Sequence, residues 1–370
     1  MGSKRVRTYD LTPGLIAADD VYTFNDQLII QEGTRVTDRV ITRLKFYAVP
    51  DIKVYTDEDT DEDELPPEDE AVIFSYDKPY RDQVMATPEF KIFGTAYSIS
   101  VDHLSDSLDD IAMGKKPASQ DELLEVVSSS LANVRNNVHL FDMLNCMHDM
   151  SDIVYVHSLN VALISHALGI WIEMPEDDLA VLTTAALLHD IGKLLVPSEI
   201  LNKPGSLNAQ EYAIVKTHAQ FGYNILKNQD QLDDRIKNAV LQHHERCDGS
   251  GYPVGLHSTE IDDFAKIIAI ADVYDAMSSK RTYREPICPF SVIEMFEKDG
   301  LQKYDPHFVL TFRQGVVETY LHNDVVLTDG REGEVVLINK LDLSRPVIRL
   351  KDSTYVDLSK ERDIAIRNVI

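Results

Sequence analysis

Cysteine is scarce in this chain, whose 370 residues include only Cys146, Cys247 and Cys288. Three scattered cysteines exclude a disulfide framework and fit a reducing compartment, so we expect a cytoplasmic protein. Long apolar runs are also missing, since no window of about 18 residues is apolar throughout. The opening residues MGSKRVRTYD lack the hydrophobic stretch of a signal peptide. The sequence therefore predicts neither a membrane span nor a secretion signal.

Positive charge is in short supply as well, because 36 Lys and Arg residues face 62 Asp and Glu residues, giving a formal net charge of −26. Such an excess repels phosphate backbones and anionic lipids, which argues against binding to DNA, to RNA or to a membrane surface. Part of the excess is local, since ten of the fourteen residues from Asp57 to Glu70 are acidic. An acidic run of this kind is usually solvated, and we interpret 57–70 as a linker.

The linker separates a small N-terminal module, 1–56, from the rest of the chain. Within this module the short apolar runs at 28–30 and 52–55 predict strands, and apolar residues recur at helical spacing over 37–47. We therefore expect an α+β unit with a regulatory or docking role.

Helical periodicity dominates the chain beyond the linker, and no strand pattern interrupts it before the tail. We divide this part into a helical connector, 71–124, and an all-α domain, 125–322. Ser119 and Glu122 have the spacing of a capping box that opens a helix running toward Met147.

A second capping pattern, formed by Asn208 and Glu211, predicts a helix that carries His218. The other predicted helices of this domain span 154–171, 175–190, 233–245, 263–279 and 290–299.

The tail, 323–370, changes from helical to β-like patterns. Asp329-Gly330 is a hairpin signal, and short β-like runs occur at 334–338, 347–350 and 355–358. The predicted fold class is thus mainly α, with a small α+β N-terminal module and a short β appendage at the C-terminal end.

Metal-ligating side chains concentrate in the all-α domain. A single histidine on an apolar helix is usually a hydrogen-bonded core residue, but two adjacent pairs near predicted helix ends are harder to explain in that way. Imidazole and carboxylate together suit iron, manganese or zinc, and a carboxylate can bridge two ions. The candidate ligands are His157, His189, Asp190, His218, His243, His244 and Asp272.

A glycine-rich loop, 245–253, directly follows the second histidine pair. Gly249 and Gly251 allow the backbone to approach a ligand closely, and the ring of Tyr252 could stack on a purine base. An ordinary surface turn is the alternative interpretation of the same residues.

The ordered set of motifs resembles the HD-GYP phosphodiesterases, a branch of the HD superfamily, over about residues 125–320. The resemblance is carried by His189-Asp190-Ile191-Gly192-Lys193, His218, His243-His244, Asp248-Gly249-Ser250-Gly251-Tyr252-Pro253 and Asp272-x-x-Asp275-Ala276-Met277. It implies an all-helical domain in which a hydroxide activated by two metals hydrolyses cyclic di-GMP to linear pGpG. Further cleavage to GMP is left open.

The resemblance also implies a division of the ligands between two divalent ions, iron or manganese first. One ion would be held by His157, His189 and Asp272. The other would be held by His218, His243 and His244. Asp190 would bridge the two ions.

For substrate contacts, the resemblance points to Asp275, Arg281 and Arg284, with Gly251 and Tyr252 of the loop. A carboxylate can accept hydrogen bonds from a guanine edge, and guanidinium groups can bind phosphate or guanine. Lys193, beside the His-Asp doublet, is the expected donor to a phosphate oxygen during catalysis.

Two departures from the family pattern stand out. Family members with a third metal carry a carboxylate where this chain has Ile153, so we expect two metals. The usual Asp-Arg-Pro-Tyr-Arg segment is Lys280-Arg281-Thr282-Tyr283-Arg284 here, which adds positive charge and leaves base selectivity open.

Other functions remain compatible with these motifs. The chain could be a catalytically silent sensor of a cyclic dinucleotide that signals through its terminal modules. It could instead hydrolyse cyclic GMP-AMP or another nucleotide such as (p)ppGpp or a dNTP. The terminal modules could also form a homodimer or bind a signalling partner, and the sequence leaves the oligomeric state open.

Overall fold

The structure, a computed structural model, describes most of the chain. The described residues are 2–22, 28–37, 40–41, 44–45, 49–55, 80–147, 154–203, 205–279 and 286–370. The predicted acidic linker, Ile153, Arg281 and Arg284 all lie outside these ranges.

The N-terminal module is built from two short antiparallel strand pairs. Strand β1 (Ser3–Arg7) pairs with β4 (Asp51–Tyr55), and β2 (Val21–Tyr22) pairs with β3 (Leu28–Ile30). Residues 40–41 and 44–45 are helical, and their apolar side chains are buried in a core that belongs to the module. The expected α+β unit is confirmed. Strand β1 escaped prediction because its sequence, SKRVR, is mostly charged and exposed.

Helices make up the middle of the chain, as the sequence predicts. Their bounds are α1 Tyr80–Ala86, α2 Pro88–Ala112, α3 Gln120–Leu131, α4 Asn137–Cys146, α5 Val154–Trp171, α6 Glu176–Leu188, α7 Ser198–Leu201, α8 Ala209–Val215, α9 His218–Leu226, α10 Asp234–Gln242, α11 Asp263–Ser278, α12 Pro289–Lys303 and α13 Pro306–Thr319.

Helix α5 lies at the centre of this domain and packs against α6 and α11. By length and composition alone it could cross a membrane, but 67% of it is buried inside the protein. A mostly buried apolar helix is typical of a protein core. Helix α10 packs against α6, α9 and α11, so the helices that carry the candidate ligands form one contiguous bundle.

Two predicted helices are wrong in their continuity. The helix expected from Ser119 toward Met147 is interrupted between α3 and α4, where the Asn136 side chain accepts the N–H of His139 and caps a new helix. The helix expected to carry His218 ends at Val215, and α9 restarts at His218 itself. At the break between the two helices, the hydroxyl of Thr217 donates to the carbonyl of Ile214.

The C-terminal residues form a five-stranded antiparallel sheet in the order β8-β7-β6-β5-β9. Its strands are β5 Asp324–Leu327, β6 Glu332–Leu337, β7 Val347–Leu350, β8 Tyr355–Asp357 and β9 Ile366–Val369. The predicted Asp329-Gly330 turn joins β5 to β6, with Gly330 at a φ of +87°. The sheet's apolar face belongs to the same core as the helices, so the appendage is packed on the helical domain.

Candidate metal centre

The His-Asp doublet lies where α6 gives way to a short 3-10 turn, Ile191–Leu195. The backbone of Gly192 in this turn packs directly against the backbone of the first turn of α9. A Cβ atom there would lie 1.9 Å from the carbonyl oxygen of His218 and 2.5 Å from the backbone nitrogen of Gly222. Only glycine therefore allows the doublet to lie this close to the first turn of α9.

The predicted ligands converge from α5, α6, α9, α11 and the end of α10. They form two groups, and within each group the ligand atoms lie within 4.8 Å of one another. One group is His157, His189 and Asp272, and the other is Asp190, His218, His243 and His244. Asp190 falls in the second group here, whereas the resemblance has it bridge two ions, and the assignment of the groups to ions stays a prediction.

Asp190 lies between the two groups and turns one oxygen toward each. Its Oδ2 is 3.3 Å from Nε2 of His189 and 3.5 Å from Nε2 of His157. Its Oδ1 is 3.4 Å from Nε2 of His218 and 3.8 Å from Nε2 of His243. A carboxylate in this position can serve two cations at once.

The backbone fixes the tautomers of three of these histidines. The Nδ1 atoms of His189, His218 and His243 each lie 2.6–2.9 Å from the carbonyl oxygen three residues earlier. Because a carbonyl only accepts hydrogen bonds, each Nδ1 carries the proton and each neutral Nε2 presents a lone pair to the centre of the site.

Two of these lone pairs, on His218 and His243, face each other, and no proton lies between them. Nε2 of His218 lies 3.2 Å from Nε2 of His243. Among the described residues, Nε2 of His189 and Oδ1 of Asp190 are buried and have no hydrogen-bond partner. Unpartnered buried acceptors are costly, and a divalent cation bound by them would remove that cost. The residues therefore fit a divalent metal site.

Burial and charge favour the protonation states that a metal needs. Burial lowers the pKa of His218, and it holds the pKa values of His243 and His244 well below the ordinary range. Burial acts to raise the pKa of Asp190, but its polar and charged neighbours, among them the ammonium of Lys193, outweigh burial and hold the value well below normal. Near neutral pH His218, His243 and His244 are thus neutral and Asp190 is ionised, which are the forms that bind a metal.

Asp275 contacts a candidate ligand, a contact that the sequence analysis does not include. It is 3% exposed, and its Oδ2 lies 2.7 Å from Nδ1 of His157, while its Oδ1 accepts from Asn160 Nδ2 and from Ser279 Oγ. A buried carboxylate engaged in this way orients a histidine ring. The contact to a guanine edge that the resemblance implies for Asp275 stays a prediction.

Lys193 donates a hydrogen bond to Oδ2 of Asp190, and its side chain is 21% exposed. It therefore lies at the rim of the centre, tied to the carboxylate that both ligand groups share. Arg281 and Arg284, the other expected cations, fall outside the described residues.

Tyr252 stacks on a candidate ligand. Its ring centroid lies 4.6 Å from that of His244, at an interplanar angle of 28°. The sequence predicts stacking on a purine, but one face of the ring already contacts an imidazole. Gly251 is required for a backbone reason, since a Cβ there would lie 2.4 Å from both Cα of Glu245 and the backbone nitrogen of Arg246.

Glu245 holds this loop in place, and sequence reasoning missed it. The residue is 2% exposed, and its carboxylate accepts hydrogen bonds from the backbone N–H groups of Val254, Gly255 and Leu256. Its position, directly after two candidate ligands and before a Gly/Pro loop, is the sequence signal that could have identified it.

Comparison with known proteins shows which family and which proteins the chain is similar to. A family model described as "HD domain" matches residues 143–308. A cyclic di-GMP phosphodiesterase of Pseudomonas aeruginosa is 33% identical over 244 residues, which are 65% of this chain and 58% of that protein.

Two further relatives differ in the substrate that they are named for. A cyclic di-GMP phosphodiesterase of Thermotoga maritima is 35% identical over 51% of this chain and 50% of its own length. A 3'3'-cGAMP-specific phosphodiesterase of Vibrio cholerae is 31% identical over 51% of this chain and 38% of its own length. The chain thus spans less than two thirds of each of these relatives.

Proposed function

We propose that this protein, whose residues 143–308 match a family model described as "HD domain", is a metal-dependent phosphodiesterase that hydrolyses a cyclic dinucleotide. Cyclic di-GMP is the first substrate to test, with linear pGpG as product. Similarity to two relatives named for cyclic di-GMP, from Pseudomonas aeruginosa and Thermotoga maritima, supports this choice.

The position of Asp190 between two groups of ligands is the observation that carries the proposal. We assign His157, His189 and Asp272 to one metal, with His218, His243 and His244 at the other and Asp190 shared by both. Bound iron or manganese would supply Lewis acidity toward a phosphate and would lower the pKa of a water molecule.

The protein's own groups would orient the phosphate. An ammonium has three donors, and Lys193 uses one on Asp190, so its other donors can reach a non-bridging phosphate oxygen. The net charge of −26 repels the substrate as a whole. Local cations must offset this, and Lys193, Arg281 and Arg284 are the groups that we assign to that task.

Cyclic GMP-AMP is the second candidate substrate. It is favoured by the 31% identity to a Vibrio cholerae relative that is named for it. The two cyclic dinucleotides have the same phosphate chemistry and differ only in one base. Selectivity would therefore depend on base contacts, for which we propose Tyr252 and the segment that carries Arg281 and Arg284.

An anaerobic turnover assay tests the proposed function. The full chain, reconstituted with Fe(II) or Mn(II), is incubated separately with cyclic di-GMP and with 3'3'-cyclic GMP-AMP, and products are resolved by chromatography. We expect linear product from cyclic di-GMP and none from the Asp190→Ala variant. Asp178→Ala is the matched control, because Asp178 lies on the same helix α6 but forms a surface ion pair with Arg235. Tight binding without any product would instead identify a silent sensor.

A cytoplasmic location and a signalling role complete the proposal. Cys146, Cys247 and Cys288 are all free, which suits a reducing compartment. The N-terminal module contacts the helical domain through Tyr22, whose ring faces the guanidinium of Arg135 and whose hydroxyl accepts a hydrogen bond from it. Through this contact, a second copy of the chain or a signalling partner bound to the module could influence the helical domain.

A further inference from the structure

A chain of hydrogen bonds runs from helix α2 to the metal centre. The hydroxyl of Tyr97, on α2, lies 2.6 Å from Oδ1 of Asn160 on α5. Nδ2 of Asn160 lies 2.8 Å from Oδ1 of Asp275 on α11, and Oδ2 of Asp275 lies 2.7 Å from Nδ1 of His157. Nε2 of His157 faces Oδ1 of Asp272, 3.0 Å away. Three side chains, from three helices, thus lead to a candidate ligand.

The direction of each hydrogen bond in this chain follows from the chemistry of its members. An ionised carboxylate only accepts, so the amide nitrogen of Asn160 faces Asp275 and the amide oxygen faces Tyr97. The Tyr97 hydroxyl is therefore the donor. At the other end, Asp275 accepts the proton on Nδ1 of His157, which leaves Nε2 with a lone pair directed at the ligand group. The chain therefore specifies one tautomer and one ring orientation for His157.

His157 differs from three other candidate ligands in the group that faces its Nδ1 atom. Nδ1 of His189, His218 and His243 each faces a backbone carbonyl three residues earlier, whereas Nδ1 of His157 faces the side chain of Asp275. The backbone of a helix holds its carbonyls in place. A side-chain carboxylate can rotate, so further contacts are needed to keep it in one orientation. The amide and the hydroxyl behind it supply such contacts.

Burial makes these hydrogen bonds hard to replace. Tyr97 is 0% exposed and Asp275 is 3% exposed, so bulk water does not reach either end of the chain to take over a lost bond. Burial also holds the pKa of the Tyr97 hydroxyl well above its ordinary value, so this group stays protonated and remains a donor.

The helix that supplies Tyr97 lies upstream of residues 143–308, which match the HD-domain model. Helix α2 belongs to the predicted helical connector, 71–124. It packs against α5 and against the 3-10 turn Ile191–Leu195 that follows the His-Asp doublet. The connector is thus part of the structure that surrounds the metal centre.

We propose that Tyr97 and Asn160 are positioning residues of the metal centre: through Asp275 they hold His157 in the tautomer and orientation that bind the ion assigned to this histidine. The inference rests on the metal centre of the proposed function. It does not depend on which nucleotide is hydrolysed.

Titration of the metal-free full chain with Mn(II), followed by electron paramagnetic resonance, tests the proposal without turnover. His157→Ala identifies which dissociation constant belongs to the ion at His157. We expect Tyr97→Phe, which loses only a hydroxyl, to weaken that ion by about three- to tenfold and to leave the other ion unchanged. Tyr155→Phe is the matched control and should bind both ions like the wild type. The Tyr155 hydroxyl also joins α5 to α2, through a hydrogen bond to Asp109 that is not part of this chain.

A double variant separates positioning from a general loss of packing. In the Asp275→Asn background, Tyr97→Phe should cause no further loss of metal affinity. The reason is that an amide at that position cannot accept from both of its neighbours, so the chain is already broken. A full additional loss in this background would overturn the proposal. So would unchanged metal affinity in Tyr97→Phe alone, or an equal loss in Tyr155→Phe.

The wild type distinguishes failure of this inference from failure of the proposed function. A wild type that binds no Mn(II) would refute the metal centre, and the positioning role with it. Metal binding that follows the expected pattern in all variants, without turnover of any cyclic dinucleotide, would refute the hydrolysis and support the positioning role.

Discussion

The Nδ1 atom of His157 lies 2.7 Å from Oδ2 of Asp275, and the opposite ring nitrogen faces Asp272 and Asp190. Asp275 therefore fixes the ring from behind, as a carboxylate commonly does for a metal-binding histidine.

From this contact we expect Asp275→Asn to weaken binding of the metal that we assign to His157, His189 and Asp272 by about 10- to 100-fold. KM for cyclic di-GMP should stay near that of the wild type once metal is saturating. Metal titration and steady-state kinetics measure the two effects separately. Ser279→Ala, which removes only one hydrogen bond to the same carboxylate, is the milder control. Unchanged metal affinity together with a raised KM would instead support the guanine contact predicted from the sequence.

Asp190 faces both ligand groups, so its loss should affect both metals. We expect Asp190→Ala to lose both ions after anaerobic reconstitution, whereas His157→Ala should keep the ion bound by His218, His243 and His244. Elemental analysis of the purified variants gives the metal content directly. If Asp190→Ala retained both ions and full activity, the shared position would be wrong.

Metal binding and substrate binding should be separable in a pair of variants. Arg284→Ala should lose a charge-assisted contact of about 1.5–3 kcal/mol, or roughly ten- to a hundredfold in kcat/KM, with unchanged metal content. His243→Ala should lose metal and turnover together. Parallel kinetics and elemental analysis compare them, and equal loss of metal in both variants would refute this division.

Acid should destabilise the metal-free chain through its buried histidines. Burial holds the pKa of folded His243 well below the ordinary value of 6.5. As pH falls below that value, the unfolded chain takes up a proton that the folded chain does not, so the free energy of unfolding decreases.

Each histidine of this kind contributes up to roughly 1.4 kcal/mol per pH unit. Thermal unfolding of chelator-treated protein between about pH 7.5 and 5 measures this decrease, and His243→Gln should show a shallower slope. Identical slopes for the two proteins would contradict the prediction. Asp190 acts in the same direction, but only once pH falls below the ordinary carboxyl range, because its own pKa is held lower still.

Glu245 should be essential for the loop that positions Tyr252. Glu245→Gln keeps the size but offers one acceptor oxygen to three N–H groups, and we expect a loss of about 1.5–3 kcal/mol in stability. The value of kcat/KM should fall as well, because the Tyr252 ring is held against His244 by this loop.

Glu260→Gln is the matched control, since Glu260 is exposed and accepts a single N–H, that of His257. Denaturant unfolding and kinetics on both variants give the comparison. Equal effects of the two substitutions would mean that the buried carboxylate is not what organises the loop.

Much of the architecture was predictable from the sequence because it follows from local patterns. Helical periodicity and caps such as Asn208 with Glu211 predicted the helices, and this capping box is present. The Asp329-Gly330 turn likewise predicted the hairpin. Strand β9 was missed because Ile366 and Val369 are separated by Arg367 and Asn368, so no alternation of apolar residues marks it.

The candidate site, too, could be predicted from the sequence only in part. The seven candidate ligands stand out in the sequence through their chemistry and order, and the structure brings them together in two groups. The contacts of Asp275 and Glu245 were not identifiable, because each depends on which distant backbone or ring the fold brings against a carboxylate. Spacing along the chain contains no information about such a partner.

The contact between Gly192 and the first turn of α9 has a diagnostic consequence for genome surveys. A chain can retain every ligand of both groups and still carry a side chain at the position of Gly192. In such a chain a Cβ placed 1.9 Å from a carbonyl oxygen must push α9, and with it His218, away from Asp190. We expect gene copies of that kind to encode proteins without a complete metal centre. The residue at the position of Gly192, which is not itself a ligand, would therefore distinguish functional from non-functional copies.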